Sequence, residues 1–198
     1  MIVSLEFLPT LVFAVMMAAW FAFGILFFAR KKPPKAPVSK RERASIIGIA
    51  LQAASYGLVW SVHRQPFTPI ISLSRPLEIG LGVFTMLVAG GSVWFVSSAI
   101  RTLGKQWSLG ARLIEGHKLI TEGPYRLVRN PIYTGMFGLL LATGLAVSHW
   151  VGLLIAIVVY AVGTVVRVRS EEKLLRGAFG AEFDSYARRV PAVIPFLF

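Results

Sequence analysis

The chain contains no cysteine. Structural disulfides, thiolate metal sites and a cysteine nucleophile are therefore excluded. Charge is scarce and lopsided: 15% of the residues are charged, with 21 Lys or Arg against 9 Asp or Glu. The three histidines, His63, His117 and His149, are far apart in sequence. Two of them are predicted on the opposite face from the third, so no metal is expected. HExxH, P-loop and G-x-S-x-G signatures are missing. The Gly-rich dinucleotide turn is missing too, and no βαβ pattern exists to hold it. Internal repeats and low-complexity segments are also absent.

Apolar residues are abundant. Hydrophobic residues make up 56% of the 198, and the mean hydropathy is +0.68, which places the chain in the membrane class. The formal net charge of +12 is read as orientation in a bilayer and not as nucleic-acid binding, because the bases alternate with membrane-length apolar runs. A span needs about 20 apolar residues to cross about 30 Å of hydrocarbon. Uncharged runs over 7–29, 44–62 and 79–100 meet this. The first exceeds a signal-peptide core of roughly 7–15 residues, and its basic flank follows it, so it is read as a retained span. A fourth run, 130–166, is uncharged for 37 residues, which is too long for one crossing. Ser148, His149 and Trp150 divide it into 130–147 and 151–168. The fold expected is an all-α membrane protein, one integral domain of five transmembrane helices plus a cytosolic amphipathic C-terminal helix.

Five spans sort the bases. Seven lie in 30–43, six in 101–129 and six in 167–189, all on one side, leaving Arg64 and Arg75 on the other. The positive-inside rule makes the basic side cytoplasmic, with the N-terminus outside and the C-terminus inside. Residues 31–37, with three prolines, read as a surface linker against anionic lipid. Gly80, Gly82, Gly90, Gly91 and Ser92 would allow close helix contact. Residues 170–189 have roughly helical apolar spacing, interrupted at Gly177 and Gly180 and ending before Pro191.

Two segments carry the candidate chemistry. Residues 117–135 hold Pro124 and Pro131, which push Gly123 and Asn130 away from helix and leave backbone groups free to grip a polar ligand. Tyr125 and Tyr133 add aromatic faces with hydroxyl tips. Read alone, the segment is equally an interfacial loop whose Arg126 and Arg129 meet lipid phosphate. In the second segment Arg167 and Glu171 are four apart and share a helix face. They form either a surface ion pair or a pair that handles a charged ligand at the membrane boundary. Arginine suits a carboxylate or phosphate, and a glutamate suits a cation or a ribose diol.

His117-Lys118-Leu119-Ile120, Gly123-Pro124-Tyr125 and Arg129-Asn130-Pro131-Ile132-Tyr133-Thr134-Gly135, together with Arg167, Glu171-Glu172, Phe179-Gly180, Glu182-Phe183, Tyr186, Arg189-Val190-Pro191 and Pro195, resemble the C-terminal signature of the isoprenylcysteine carboxyl methyltransferase family. The similarity covers about 103–196. It implies an integral membrane methyltransferase using S-adenosylmethionine, with a cofactor region over 103–135 and 167–196. His117, Lys118, Leu119, Ile120, Tyr125, Asn130, Pro131, Ile132, Tyr133 and Glu171 would then bind the cofactor. Arg167 would face a substrate carboxylate beside Glu171, and Arg129 is a further candidate for substrate binding. One departure stands out: the family's His-Pro-x-Tyr is Asn130-Pro131-Ile132-Tyr133 here, and asparagine does not titrate. The acceptor expected is small and lipophilic, a carboxylate that needs orientation but no base. The alternatives are an NADPH-dependent membrane reductase of sterol-reductase type, for which Lys118, Arg126 and Arg129 would supply phosphate contacts, and a non-enzymatic membrane scaffold.

Overall fold

The computed structural model describes residues 7–28, 38–41, 44–65, 68, 70–71, 73–108, 112–114 and 116–194. The expected linker at 31–37 and Pro195 lie outside them. Six helices follow in order: α1 (Phe7–Phe28), α2 (Ser45–Ser61), α3 (Arg75–Leu103), α4 (Pro131–Val147), α5 (Trp150–Phe179) and α6 (Ala181–Arg189). The all-α expectation needs one addition, a short antiparallel ribbon of β1 (Val38–Arg41) and β2 (Arg112–Ile114).

Three of the helices, α1, α3 and α5, are long and apolar enough to cross a membrane. The other two apolar helices, α2 and α4, have 17 residues each, a rise of about 25 Å against about 30 Å of hydrocarbon. The break in the long apolar run falls at Ser148 and His149, as expected, with the His149 side chain accepting from the Val151 N–H at the start of α5. Helix α3 starts at Arg75, earlier than the uncharged run, because Pro76 fits a first turn and Glu78 complements the helix N-terminus.

The separate C-terminal helix is shorter than the expected 170–189 and begins only after Gly180. Helix α5 runs on without a break through Gly177 and stops only at Gly180, whose φ of +50° is a conformation glycine adopts freely. Only the short α6 is separate. No proline or positive-φ residue interrupts 151–179, so the helix carries its polar end straight out of its apolar part.

Helix pairs alternate in direction. Helix α2 runs antiparallel to α5: Gly48 meets Gly163 and Arg167 at one end, and Val59 packs with Ala156 and Tyr160 toward the other. Helix α4 runs antiparallel to α3, with Gly135 against Val96 and Gly138 against Ser92. Helix α1 lies parallel to α3, Gly82 touching Leu8 and Val12 while Phe23 clusters with Ile100. Thus Gly82 and Ser92 serve close contact as expected, whereas a side chain at Gly80, Gly90 or Gly91 would meet nothing within 4 Å.

Arg64 ties the end away from the basic tail. Its guanidinium donates to the carbonyls of Leu145, Ala146 and Ser148 at the end of α4, and its Nε to Thr68 O, at 2.7–2.8 Å. These are carbonyls a helix C-terminus leaves without intrahelical partners. Burial pulls the Arg64 guanidinium down to about 10, which leaves it charged at neutral pH.

A Cβ at Gly48 would lie 2.4 Å from Arg167 Cγ and 2.7 Å from Gly163 O. Gly48→Leu should therefore destabilise the protein by about 1–3 kcal/mol through overpacking, read as a fall in Tm in detergent. Gly57→Ala, where an added Cβ meets nothing within 4 Å, should leave Tm unchanged or slightly raised.

Candidate active site

The loop before α4 is built around glycine and proline. Gly123 has φ +57°, and a Cβ there would sit 2.9 Å from Thr102 Oγ1, so a tight turn and a close approach to α3 both require glycine. A 3₁₀ turn over Gly123–Arg126 follows and buries Tyr125. Its carbonyl accepts a 2.6 Å bond from the Tyr186 hydroxyl of α6. Burial pushes the Tyr186 phenol up to about 12, which keeps it a neutral donor. Burial, with the nearby Glu171 charge, raises Tyr125 as well. Asn130, with φ −126° and ψ 61°, ends the loop, and Pro131 opens α4.

The chain's last described residues lie along this loop. Arg129 N–H donates to Pro191 O and Asn130 N–H to Ala192 O, at 2.8 and 2.9 Å. Asn130 Nδ2 donates to Ala192 O at 3.0 Å and Thr134 Oγ1 to Val193 O at 2.6 Å. Arg129 holds Glu172 with Nε and Nη2, at 2.9 and 2.8 Å, and its Nη1 donates to Ala187 O and Val190 O. The side chain expected to meet substrate is thus engaged with the tail, because α6 brings these carbonyls over it.

In the C-terminal half of α5, Arg167 is buried, only 4% exposed. Its Nη1 donates to Gln52 Oε1 at 3.2 Å and its Nη2 meets Glu171 Oε1 at 3.5 Å. Its guanidinium carbon stands 4.6 Å from the centre of the Tyr133 ring, a cation–π contact. The Tyr133 hydroxyl donates to Glu171. Gln52 is held in turn, Nε2 donating to Thr164 Oγ1 at 2.9 Å, and Tyr160 donates to Tyr133 O at 2.8 Å. Glu171 keeps 29% of its side chain exposed.

That exposed edge faces a cavity of about 600 Å³, within the range of small-molecule sites. Every residue proposed for the methyltransferase site lines it, namely His117, Lys118, Leu119, Ile120, Tyr125, Arg129, Asn130, Pro131, Ile132, Tyr133, Arg167 and Glu171, whereas Arg126 of the reductase alternative does not. Trp20, Phe23, Gly24 and Phe27 of α1 and Ile49, Gln52, Ala53 and Tyr56 of α2 complete an apolar wall. His117 contributes a buried Nδ1 with no protein partner among the described residues, and burial lowers its pKa, so it is neutral at pH 7. Among the described residues no group of three His, Asp or Glu could hold a metal ion. His63 and His149 lie at the Arg64 end, away from the cavity.

Gln52 has no counterpart in the sequence argument. Its signal was present: it is the one amide in an uncharged apolar run over 44–62, and polar residues at membrane depth are costly unless they have a task. Its partner could not be read without the fold.

An apolar helical frame around a ligand-sized cavity lined by ionisable and aromatic groups defines an integral membrane protein. The phospholipid methyltransferase family model matches residues 81–182, which include α4, Arg167 and Glu171. The chain belongs to that family, and the resemblance to the isoprenylcysteine carboxyl methyltransferases is borne out. It is 31% identical over 115 residues to protein-S-isoprenylcysteine O-methyltransferase B of Arabidopsis thaliana, covering 57% of each chain. It is 38% identical over 107 residues to the cobalt-zinc-cadmium resistance protein CzcN of Cupriavidus metallidurans, covering 50% of this chain and 46% of that one. Methanethiol S-methyltransferase 2 of Bradyrhizobium diazoefficiens is 27% identical over 175 residues, or 82% of this chain and 66% of its own length. The chain spans about half the length of the first two of these relatives.

Gln52→Leu keeps the volume but leaves Arg167 without its α2 acceptor. It should destabilise the protein by about 1.5–3 kcal/mol, the scale of a hydrogen bond to a charged group, read as a fall in Tm in detergent. An unchanged Tm would show that the fold does not depend on this contact.

Proposed function

We propose that the protein is an S-adenosylmethionine-dependent methyltransferase that crosses the bilayer five times and acts on a lipophilic acceptor, with a carboxylate favoured. The observation that carries this is the Gln52–Arg167–Glu171–Tyr133 group in the wall of a cavity that is polar toward the loop and apolar toward α1 and α2. Breaking a buried ion pair is costly, and a well-packed apolar pair is often as stable, so the pair is weak evidence for stability. We assign it to ligand handling.

The residues present fit the cofactor. The His117 Nδ1, without a partner among the described residues, the cavity-lining Lys118, Leu119 and Ile120, and the exposed edge of Glu171 offer the mixed donors and acceptors that an amino acid and a ribose require. Tyr125 and Tyr133 supply aromatic surface, and Asn130, Pro131 and Ile132 the adjoining wall. When bound, S-adenosylmethionine supplies a methyl group already activated by its sulfonium.

The chain's own part is alignment and exclusion of water. Arg167 orients the acceptor carboxylate while Tyr133 and Gln52 fix the guanidinium. A carboxylate carries its own electron pair and needs no base, so Asn130 in place of the family histidine removes nothing that this reaction uses. Asn130 serves by holding the tail, and Arg129, which also lines the cavity, does the same. This also weakens the reductase alternative, since one of its three phosphate-binding bases is paired with Glu172. The name of the Bradyrhizobium relative brings a thiol acceptor forward as the second candidate. Arg101, Lys105, Arg129, Arg169 and Arg176 lie on the cavity side and Arg64 and Arg75 on the other, which supports a cytoplasmic site.

Glu171→Ala and Tyr133→Ala should each weaken S-adenosylmethionine binding about tenfold or more, the scale of a lost charged hydrogen bond. Calorimetry on purified protein measures this, and unchanged affinity in both variants contradicts the site. Arg167→Ala should cost turnover far more than cofactor affinity. An equal loss in both would move Arg167 to cofactor binding or to the fold.

A further inference from the structure

On α1, α2 and α4 the cavity lining stops at Trp20, Tyr56 and Met136, the lining residues farthest along each helix from the loop. Tyr56 is one turn of α2 beyond Gln52, about 6 Å of rise. Both aromatic side chains are tied at their polar ends: Trp20 Nε1 donates to Thr143 Oγ1 at 3.0 Å, and the Tyr56 hydroxyl donates to Met136 O at 2.7 Å. Their rings meet edge to face with centroids 5.1 Å apart, and Trp60 backs Trp20 at 6.4 Å. Beyond this seal Val59, Leu140, Ala156 and Tyr160 form a fully buried cluster, so no continuation of the cavity lies behind it.

Below the seal the walls are small. Gly24 lines the cavity, and a side chain there would meet nothing within 4 Å. Ala53 lines the opposing wall on α2. The whole space is about 600 Å³, in the range occupied by a single drug-sized ligand. A nucleoside cofactor takes the larger share, and the acceptor is left a short compartment between Arg167 and Trp20.

We propose that Trp20 sets the acceptor's size: its ring closes the compartment above Gly24 and Ala53, restricting the acceptor to a compact carboxylate with a short apolar chain. The identity of the occupant rests on the methyl-transfer reading. The length limit rests on the seal itself. Each buried methylene raises affinity about threefold to fourfold, so affinity should climb with chain length until the chain reaches the indole and then fall.

The test measures equilibrium binding of S-alkyl N-acetylcysteines, ethyl through dodecyl, to protein in lipid nanodiscs loaded with S-adenosylhomocysteine. Methyl transfer is followed in parallel with S-adenosylmethionine. The wild-type protein should show an optimum at a short chain. Trp20→Ala should move the optimum to longer chains and raise dodecyl affinity about tenfold or more. Gly24→Leu, which fills open space and leaves the core alone, should move the optimum to shorter chains, and it decides the matter if Trp20→Ala does not fold. Cofactor-product affinity should be unchanged in both. A wild-type protein that binds dodecyl as tightly as shorter chains overturns the proposal, because the tail then leaves sideways between α1 and α2. So does an optimum that neither substitution moves, or the absence of binding at every length. A length profile that behaves as stated without any methyl transfer would instead remove the proposed reaction and leave the size limit standing.

Discussion

A guanidinium buried among apolar helices must be met from several directions, because an uncompensated charge in that setting is far costlier than any single contact it makes. Arg167 is met by the Gln52 amide of α2, the Glu171 carboxylate one turn along α5 and the Tyr133 ring of α4. Three helices are thereby placed relative to one charge. Gly48 and Gly163 let α2 and α5 approach closely enough for Gln52 to reach it, and Thr164 holds the other end of the amide. Tyr160 fixes the first turn of α4 through Tyr133 O. All four side chains of the group line the cavity, and Glu171 is more exposed than Arg167.

A second constraint acts on the loop over this group. Its backbone is irregular, and buried polar backbone must find partners. The tail supplies them: the carbonyls of Pro191, Ala192 and Val193 take donors from Arg129, Asn130 and Thr134, while Arg129 clamps Glu172 to the end of α6. Segments far apart in sequence thus close one side of the cavity. Asparagine at position 130 suits this task, since its amide donates at any pH. The two carboxylates of the Glu171–Glu172 pair are divided between two arginines, Glu171 meeting Arg167 and Glu172 meeting Arg129.

Much of this was legible in the sequence because charge depletion is a one-dimensional signal. The runs over 7–29, 44–62 and 130–147 became α1, α2 and α4 within a residue or two, and Ser148–His149 broke the long run where a single crossing would overshoot. The site residues converge on one cavity because their spacing on α5 and the proline-bounded loop are local features. What escaped the sequence was tertiary. The continuation of α5 to Phe179 hid behind Gly177, which helical context tolerates. The engagement of Arg129 depends on carbonyls 58 and 61 residues away. Gln52 has its partners 112 and 115 residues distant. The hydrogen bond of Trp20 to Thr143 and its edge contact with Tyr56 likewise exist only in the fold.

The central claim is that one cavity, floored by the Arg167–Glu171–Tyr133 group, receives the nucleoside cofactor. A structure determined with S-adenosylhomocysteine bound tests this most directly. The account requires density for the nucleoside within the cavity, in contact with Glu171 and Tyr133 and with the backbone of 117–120, and Arg167 still on Gln52. Density elsewhere, or a ligand that leaves Glu171 and His117 untouched, would contradict it.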